Sequence, residues 1–143
     1  MSNPFTQPVG PPTGNPPPPT PRDGAGLDED EIGEPFHRFQ ALKGTDFKAA
    51  VKCFAEFKTG IARRIRWEEE ALFPEFLQRV GGGLETTCDA LREEHREVVK
   101  LLEAIEAKLS RSDAATEAEE TALQKLLATH NHKEHTIVFP ALE

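Results

Sequence analysis

Long apolar runs are missing from this chain. No stretch approaches the ~20 residues a helix needs to cross a bilayer, which excludes a helical membrane protein. An excess of basic residues is missing too. The formal net charge is −8, which argues against a nucleic-acid partner or an anionic membrane surface. Cysteine is scarce, with only Cys53 and Cys88. On the helical reading below they stand tens of ångströms apart at ~1.5 Å per residue, outside disulfide reach. Both are therefore expected as reduced thiols with a packing role. The start of the chain has no basic segment followed by an apolar one, so no secretory signal is visible and a cytoplasmic setting is expected. There is no nucleophile–base arrangement and no Cys-x-x-Cys. Gly81-Gly82-Gly83 lacks the lysine and hydroxyl of a phosphate cradle, leaving it a flexible turn.

Proline is present but segregated. Nine of the twelve prolines fall within residues 1–26, including Pro16-Pro17-Pro18-Pro19. Such a stretch supports neither a helix nor a packed strand. It reads as an extended, disordered, solubilising tail for which the sequence identifies no protein partner. Residues 27–143 carry a different pattern and are long enough for one domain with a proper core.

No strand period occurs in that region, but helical periods do. Asp28-Glu29-Asp30-Glu31 suits the positive end of a helix, and Ile32, Phe36 and Phe39 follow at helical spacing. Pro35 predicts either a kink there or a regular helix beginning at Pro35. A second helix is predicted from about Thr45 to Arg79, with the stripe Phe47, Val51, Phe54, Ile61, Ile65, Leu72 and Phe76. Pro74 should bend this helix rather than end it. A third, about Glu85 to Ser110, carries Leu91, His95, Val98, Leu102, Ile105 and Leu109. Thr116 with Glu119 has the form of a capping box opening a fourth helix. That helix places Leu123, Leu127, His130, Glu134 and Ile137 on one face. The class is all-α, an antiparallel up-down-up-down four-helix bundle.

One motif occurs twice. Arg64-Ile-Arg-Trp-Glu68-Glu-Glu-Ala-Leu-Phe73-Pro74 aligns without gaps on His130-Asn-His-Lys-Glu134-His-Thr-Ile-Val-Phe139-Pro140. Residues i and i+4 share a helix face, so His130 and Glu134 can point at one object, as can Arg64 and Glu68. Glu68, His95, His130 and Glu134 all intrude on apolar stripes, and buried carboxylates are costly unless paired or metal-bound. Their levels agree. Glu68 lies fourteen residues before Gly82 and His95 thirteen after it; His95 lies eighteen before Asp113 and His130 seventeen after it. All four therefore fall within about one helical turn of each other, ~5 Å along the bundle. By the same count His37 misses this level by roughly 20 Å, whereas Glu29 comes near Arg64 and can pair with it. His135 lies beside the site face, either as an extra ligand or as a surface histidine, and His132 points to solvent. Glu69 and Glu70 read as a solvated face or as partners of the ligands.

Trp67-Glu68-Glu69-Glu70-Ala71-Leu72-Phe73-Pro74, Leu91-Arg92-Glu93-Glu94-His95-Arg96 and the His130–Pro140 segment together resemble the hemerythrin-like, or HHE cation-binding, family. The resemblance covers about Leu27 to Glu143. It implies a four-helix bundle around a non-haem di-iron centre, with His95 and His130 as terminal ligands and Glu68 and Glu134 as bridging carboxylates. Two departures stand out. Arg64 replaces the histidine of the second helix, and Glu29 (or His37, in another register) stands for that of the first. Both losses strip the same iron of its imidazoles, so the expectation is one metal or none. Iron is the first choice, and manganese and zinc suit the same mixed donors.

Two functions of different class follow. One is a metal-binding module for oxygen, nitric oxide or redox sensing, with a small diatomic ligand. The alternative is a metal-free bundle in which Glu29–Arg64 and the His/Glu groups form a buried polar network serving a structural or interaction role. A peroxide-removing metalloenzyme is a weaker third reading.

Overall fold

The computed structural model describes residues 29–142, and the proline-rich stretch 1–26 lies outside them. Six α-helical segments and two π-helical turns form four antiparallel rods. The first rod is α1 (Glu29–Leu42). The second joins α2 (Phe47–Trp67), a π turn π1 (Glu68–Leu72) and α3 (Phe73–Val80) without a break. The third is α4 (Glu85–Ser110), and the fourth joins α5 (Glu117–Lys133), π2 (Glu134–Val138) and α6 (Phe139–Leu142). No strand occurs among the described residues. The fold is the all-α four-helix bundle.

The helix ends follow local chemistry. Asp46 caps α2 by accepting a hydrogen bond from the Ala49 N–H at 3.1 Å. Gly81 (φ 78°) and Gly83 (φ 104°) take left-handed backbone angles that end the second rod, a conformation glycine adopts without a Cβ penalty. Pro35 does not start α1, which is helical from Glu29 through it. The hydrogen bond it lacks is outweighed by packing, because Phe36 and Phe39 are buried and the Phe36 ring packs, tilted, with its centre 4.7 Å from that of Phe57. Ile32 adds to this by nesting over Gly60, where a Cβ would stand 3.4 Å from its Cγ2. That close approach sets the register of α1 on α2 and carries Glu29 towards Arg64.

The capping box expected at Thr116 and Glu119 is absent: Thr116 makes no side-chain cap. A stronger competitor claims its buried hydroxyl, which donates to Glu120 and accepts from Lys43 Nζ at 3.0 Å. Lys43 also pairs with Glu120 and with Glu117, tying the α1–α2 turn to the start of α5.

The two π turns occupy equivalent places in the repeated motif. Each begins at its glutamate and closes with a bond from the phenylalanine N–H to the glutamate carbonyl, Phe73 to Glu68 and Phe139 to Glu134. Each precedes a proline at the second position of the next α segment. Proline has no N–H, and its ring crowds the carbonyl four residues back. Widening the preceding turn by one residue relieves that conflict, as π-bulges do. The extra residue also turns the downstream face by about 100°. Ile137, expected on the inner stripe, is consequently 41% exposed, while Val138 is fully buried in its stead.

Apolar side chains pack in two clusters. One gathers Phe36, Phe39, Phe54, Phe57, Ile61, Val98, Leu102, Ile105 and Leu123; the other gathers Trp67, Leu72, Phe73, Phe76, Leu91 and Val138. The polar intruders form a layer between them. This phase shift predicts a contrast between neighbours. Val138→Asn should cost about 3 kcal/mol by burying an unpaired amide, and Ile137→Asn less than about 0.5 kcal/mol, as read from urea midpoints.

Candidate metal centre

Three helices bring the polar layer together. Glu68 opens π1 one turn beyond Arg64, His95 sits midway along α4, and His130 lies in the last turn of α5 with Glu134 opening π2. Glu68, His95, His130 and Glu134 are all buried. His95 Nε2 lies 2.6 Å and His130 Nε2 2.9 Å from the same Glu68 Oε1, and the two ring nitrogens are 3.2 Å apart. One donor atom from each of Glu68, His95 and His130 falls within 4.8 Å of the others, so this buried group could hold a metal ion. Glu134 Oε2 lies 3.1 Å from His130 Nε2.

Arg64 fills the flank of the layer. Its Nε donates to Glu68 Oε2 at 2.9 Å, and its Nη2 lies 3.4 Å from Glu134 Oε1 and 3.5 Å from Glu29 Oε2. The guanidinium also lies over the Trp67 ring, 4.8 Å from its centre. Only 11% of the side chain is exposed, so a fixed positive charge is built into the bundle beside the histidine–carboxylate group. Glu29 reaches this charge as the level count predicts. His37 is exposed on the outer face of α1. His135 is 59% exposed and meets Glu29 at 3.1 Å, which makes it a surface histidine rather than a member of the buried group. His132 and Glu70 are exposed as well, the latter paired with Arg66.

A second set of carboxylates grips the far side of each imidazole. Glu69 Oε2 lies 2.6 Å from His95 Nδ1, and Glu94 Oε1 lies 2.9 Å from His130 Nδ1. Lys133 holds the other oxygen of Glu94. Phe73 stacks on the His95 ring, 5.7 Å between centres and 9° from parallel. Sequence periodicity left Glu69 between two roles and gave Glu94 none. The available signal was position: each acid is the immediate chain neighbour of a buried polar residue.

The layer's protonation follows from burial and crowding. Burial opposes the charge of Glu68, yet hydrogen bonds from Glu134, His130 and His95 outweigh it and hold its carboxyl well below the ordinary value. Burial and the Glu68 carboxylate together push Glu134 up to about 8. Burial works against the charge of His130, but Glu134 and Glu68 raise it to about 10. Without a metal the layer is therefore held by protons: Glu134 donates to ionised Glu68, and His130 is an imidazolium beside both. Among the described residues the one buried side-chain polar atom without a partner is Glu119 Oε1, outside this layer.

Beside the polar layer lies a cavity of about 80 Å³, lined by Phe57, Ile61, Val98 and Leu127 together with Arg64, Glu68, His95 and His130. The space suits a molecule of a few atoms.

The description "Hemerythrin HHE cation binding domain" belongs to the family whose pattern matches residues 28–142. No curated protein and no solved structure matches the chain.

These shifts fix the sign of a pH effect. His130 keeps its proton to about pH 10 when folded against 6.5 ordinarily, so its contribution is complete below 6.5 and lost as pH rises through 10. Glu134, at about 8 against 4.5, likewise favours folding while protonated, a contribution lost between those values. Chelator-treated protein should thus melt roughly 10 °C lower at pH 10 than at pH 6.5, and His130→Asn should flatten the slope. Melting by circular dichroism across that range is the check.

Proposed function

Because the chain belongs to the hemerythrin HHE cation-binding domain family, we propose that residues 27–143 form a module holding one metal ion through Glu68, His95, His130 and Glu134. The observation that carries this reading is the convergence of a buried carboxylate and two imidazole nitrogens within 4.8 Å. Two nitrogen and two oxygen donors suit iron first, and manganese or zinc as alternatives.

The donor set fits one cation but not two. In the family pattern the position of Arg64 is a histidine. Here its guanidinium lies against Glu68, Glu134 and Glu29, and its charge repels a second cation while neutralising the carboxylates that would hold one. Arg64 is thus a tethered substitute for the second metal.

Iron at this position would supply a Lewis-acidic, one-electron centre for a diatomic gas. The chain's own contribution is the surrounding shape. Phe57, Ile61, Val98 and Leu127 give the adjoining cavity apolar walls, and Arg64 on its wall offers a hydrogen-bond donor. The role we assign is therefore oxygen or nitric oxide binding, or redox sensing. Two buried, unpaired thiols agree with a reducing, cytoplasmic setting.

One observation favours a second reading, the metal-free polar network. Glu68, His95, His130, Glu134 and Arg64 already satisfy one another, so the bundle does not need a cation to be electrostatically closed. The two readings separate in one experiment. Protein purified without chelators and titrated with ferrous iron should bind one equivalent, measured by elemental analysis. Metal at 100 times its Kd should stabilise the fold by about 2.7 kcal/mol. Two tightly held irons per chain would refute the role given to Arg64. Melting unchanged by iron, manganese and zinc would establish the metal-free network.

A further inference from the structure

The two ring nitrogens of each buried histidine face different worlds. His95 Nε2 and His130 Nε2 turn inward, 3.2 Å apart, towards Glu68. Their Nδ1 atoms turn outward, each onto a carboxylate that no other part of the layer uses: Glu69 at 2.6 Å and Glu94 at 2.9 Å.

A carboxylate at neutral pH accepts hydrogen bonds and donates none. An imidazole nitrogen facing one carries a proton unless a cation takes the proton's place, as it would on the Nε2 side, where Glu68 and Glu134 also lie. Imidazole binds a cation through its other, unprotonated nitrogen, and the partner on the first nitrogen decides which that is.

We propose that Glu69 and Glu94 are positioning residues that fix His95 and His130 in the Nδ1–H tautomer and so aim both Nε2 lone pairs at one point. This rests on the metal-centre reading of the layer.

Three features of the fold support a built device. Lys133 occupies the second oxygen of Glu94, restricting that carboxylate's rotation. Phe73 lies flat on the His95 ring, so ring plane and ring edge are both held. The pairing also crosses helices. Glu69 follows Glu68 in π1 and serves the ring on α4; Glu94 precedes His95 on α4 and serves the ring on α5. Chain neighbours diverge by about 100° around a helix. One of each pair therefore faces the bundle axis while the other lies over the seam, where the neighbouring ring's outer edge is.

The test uses zinc, which has no redox chemistry, and the full chain. Zinc affinity is measured by competition with a chelating dye for wild type and for Glu69→Ala, Glu94→Ala, Glu69→Gln and Glu94→Gln. Each alanine variant should bind about 10- to 100-fold more weakly. Each glutamine variant retains an oxygen acceptor and should recover most of the loss. Melting of the metal-free variants reports any structural role separately. Nitrogen-15 NMR of the histidines in the zinc-loaded protein supplies a signature that a purely structural role would not move: a hydrogen-bonded, slowly exchanging Nδ1 proton on both rings in wild type, and fast exchange of the His95 Nδ1 proton alone in Glu69→Ala. Zinc-binding wild type with alanine variants of equal affinity, or with protons found on Nε2, overturns this inference alone. A folded wild type that takes up no zinc overturns the metal-centre reading and this inference with it. Where an alanine variant fails to fold, its glutamine counterpart and the NMR assignment decide.

Discussion

The bundle turns on the burial of one carboxylate. Glu68 is 1% exposed and lies between two apolar clusters. Taking a carboxylate out of water costs several kcal/mol, and only well-placed opposite charge and hydrogen bonds offset that. Glu68 finds them on three rods: Arg64 on its own, His95 on the third, His130 and Glu134 on the fourth. Each partner must be at the right height and in the right phase. The layer therefore fixes the register of the rods against one another, a constraint apolar packing alone leaves looser.

The π turns are the local device that supplies the phase. Both begin at a glutamate of the layer and both precede a proline, so the same six-residue spacing imposes the same distortion on two different helices. The consequence differs on the two sides of the turn. Upstream, the residues keep the phase of a regular helix and present Arg64 or His130. Downstream, the face is rotated, so Val138 rather than Ile137 enters the core. Repetition of the motif thus yields two equivalent rods, and one substitution within it makes them unequal: a fixed cation on one, an ionisable imidazole on the other.

That inequality gives the layer its character. A guanidinium cannot lose its charge under ordinary conditions, whereas the protons on His130 and Glu134 can be displaced. One half of the pocket is permanently neutralised and the other is exchangeable. Arg64, His95 and His130 all line the adjoining cavity, so whatever enters it meets a cationic side chain and the buried imidazoles together.

Four rods, their approximate ends and the common level of Glu68, His95, His130 and Glu134 were legible in the sequence. Helical rise and period are local properties, and the one extra residue of a π turn shifts a height by only about 1.5 Å, so counting from a turn holds to within a helical turn. Glu29 reaches Arg64 for the same reason. Sequence reasoning failed where distant groups competed. Thr116 has the local form of a helix cap, but Lys43, brought from the α1–α2 turn, fixes Glu120 one helical turn on, and the two claim its hydroxyl. Ile137 has the right spacing for the core, but a hydrogen bond shifted by one residue turns it outward. Glu69 stays between a solvated face and a partner of the ligands, and Glu94 has no assigned role, until neighbouring helices place imidazole rings beside them. The sequence by itself determined the height of each residue and, where a helix is regular, the face it shares, because a helix is defined by contacts between residues close in the chain. Only the tertiary structure decided which side chains meet, because that depends on helix phase and on interhelical distances set by packing between residues remote from one another.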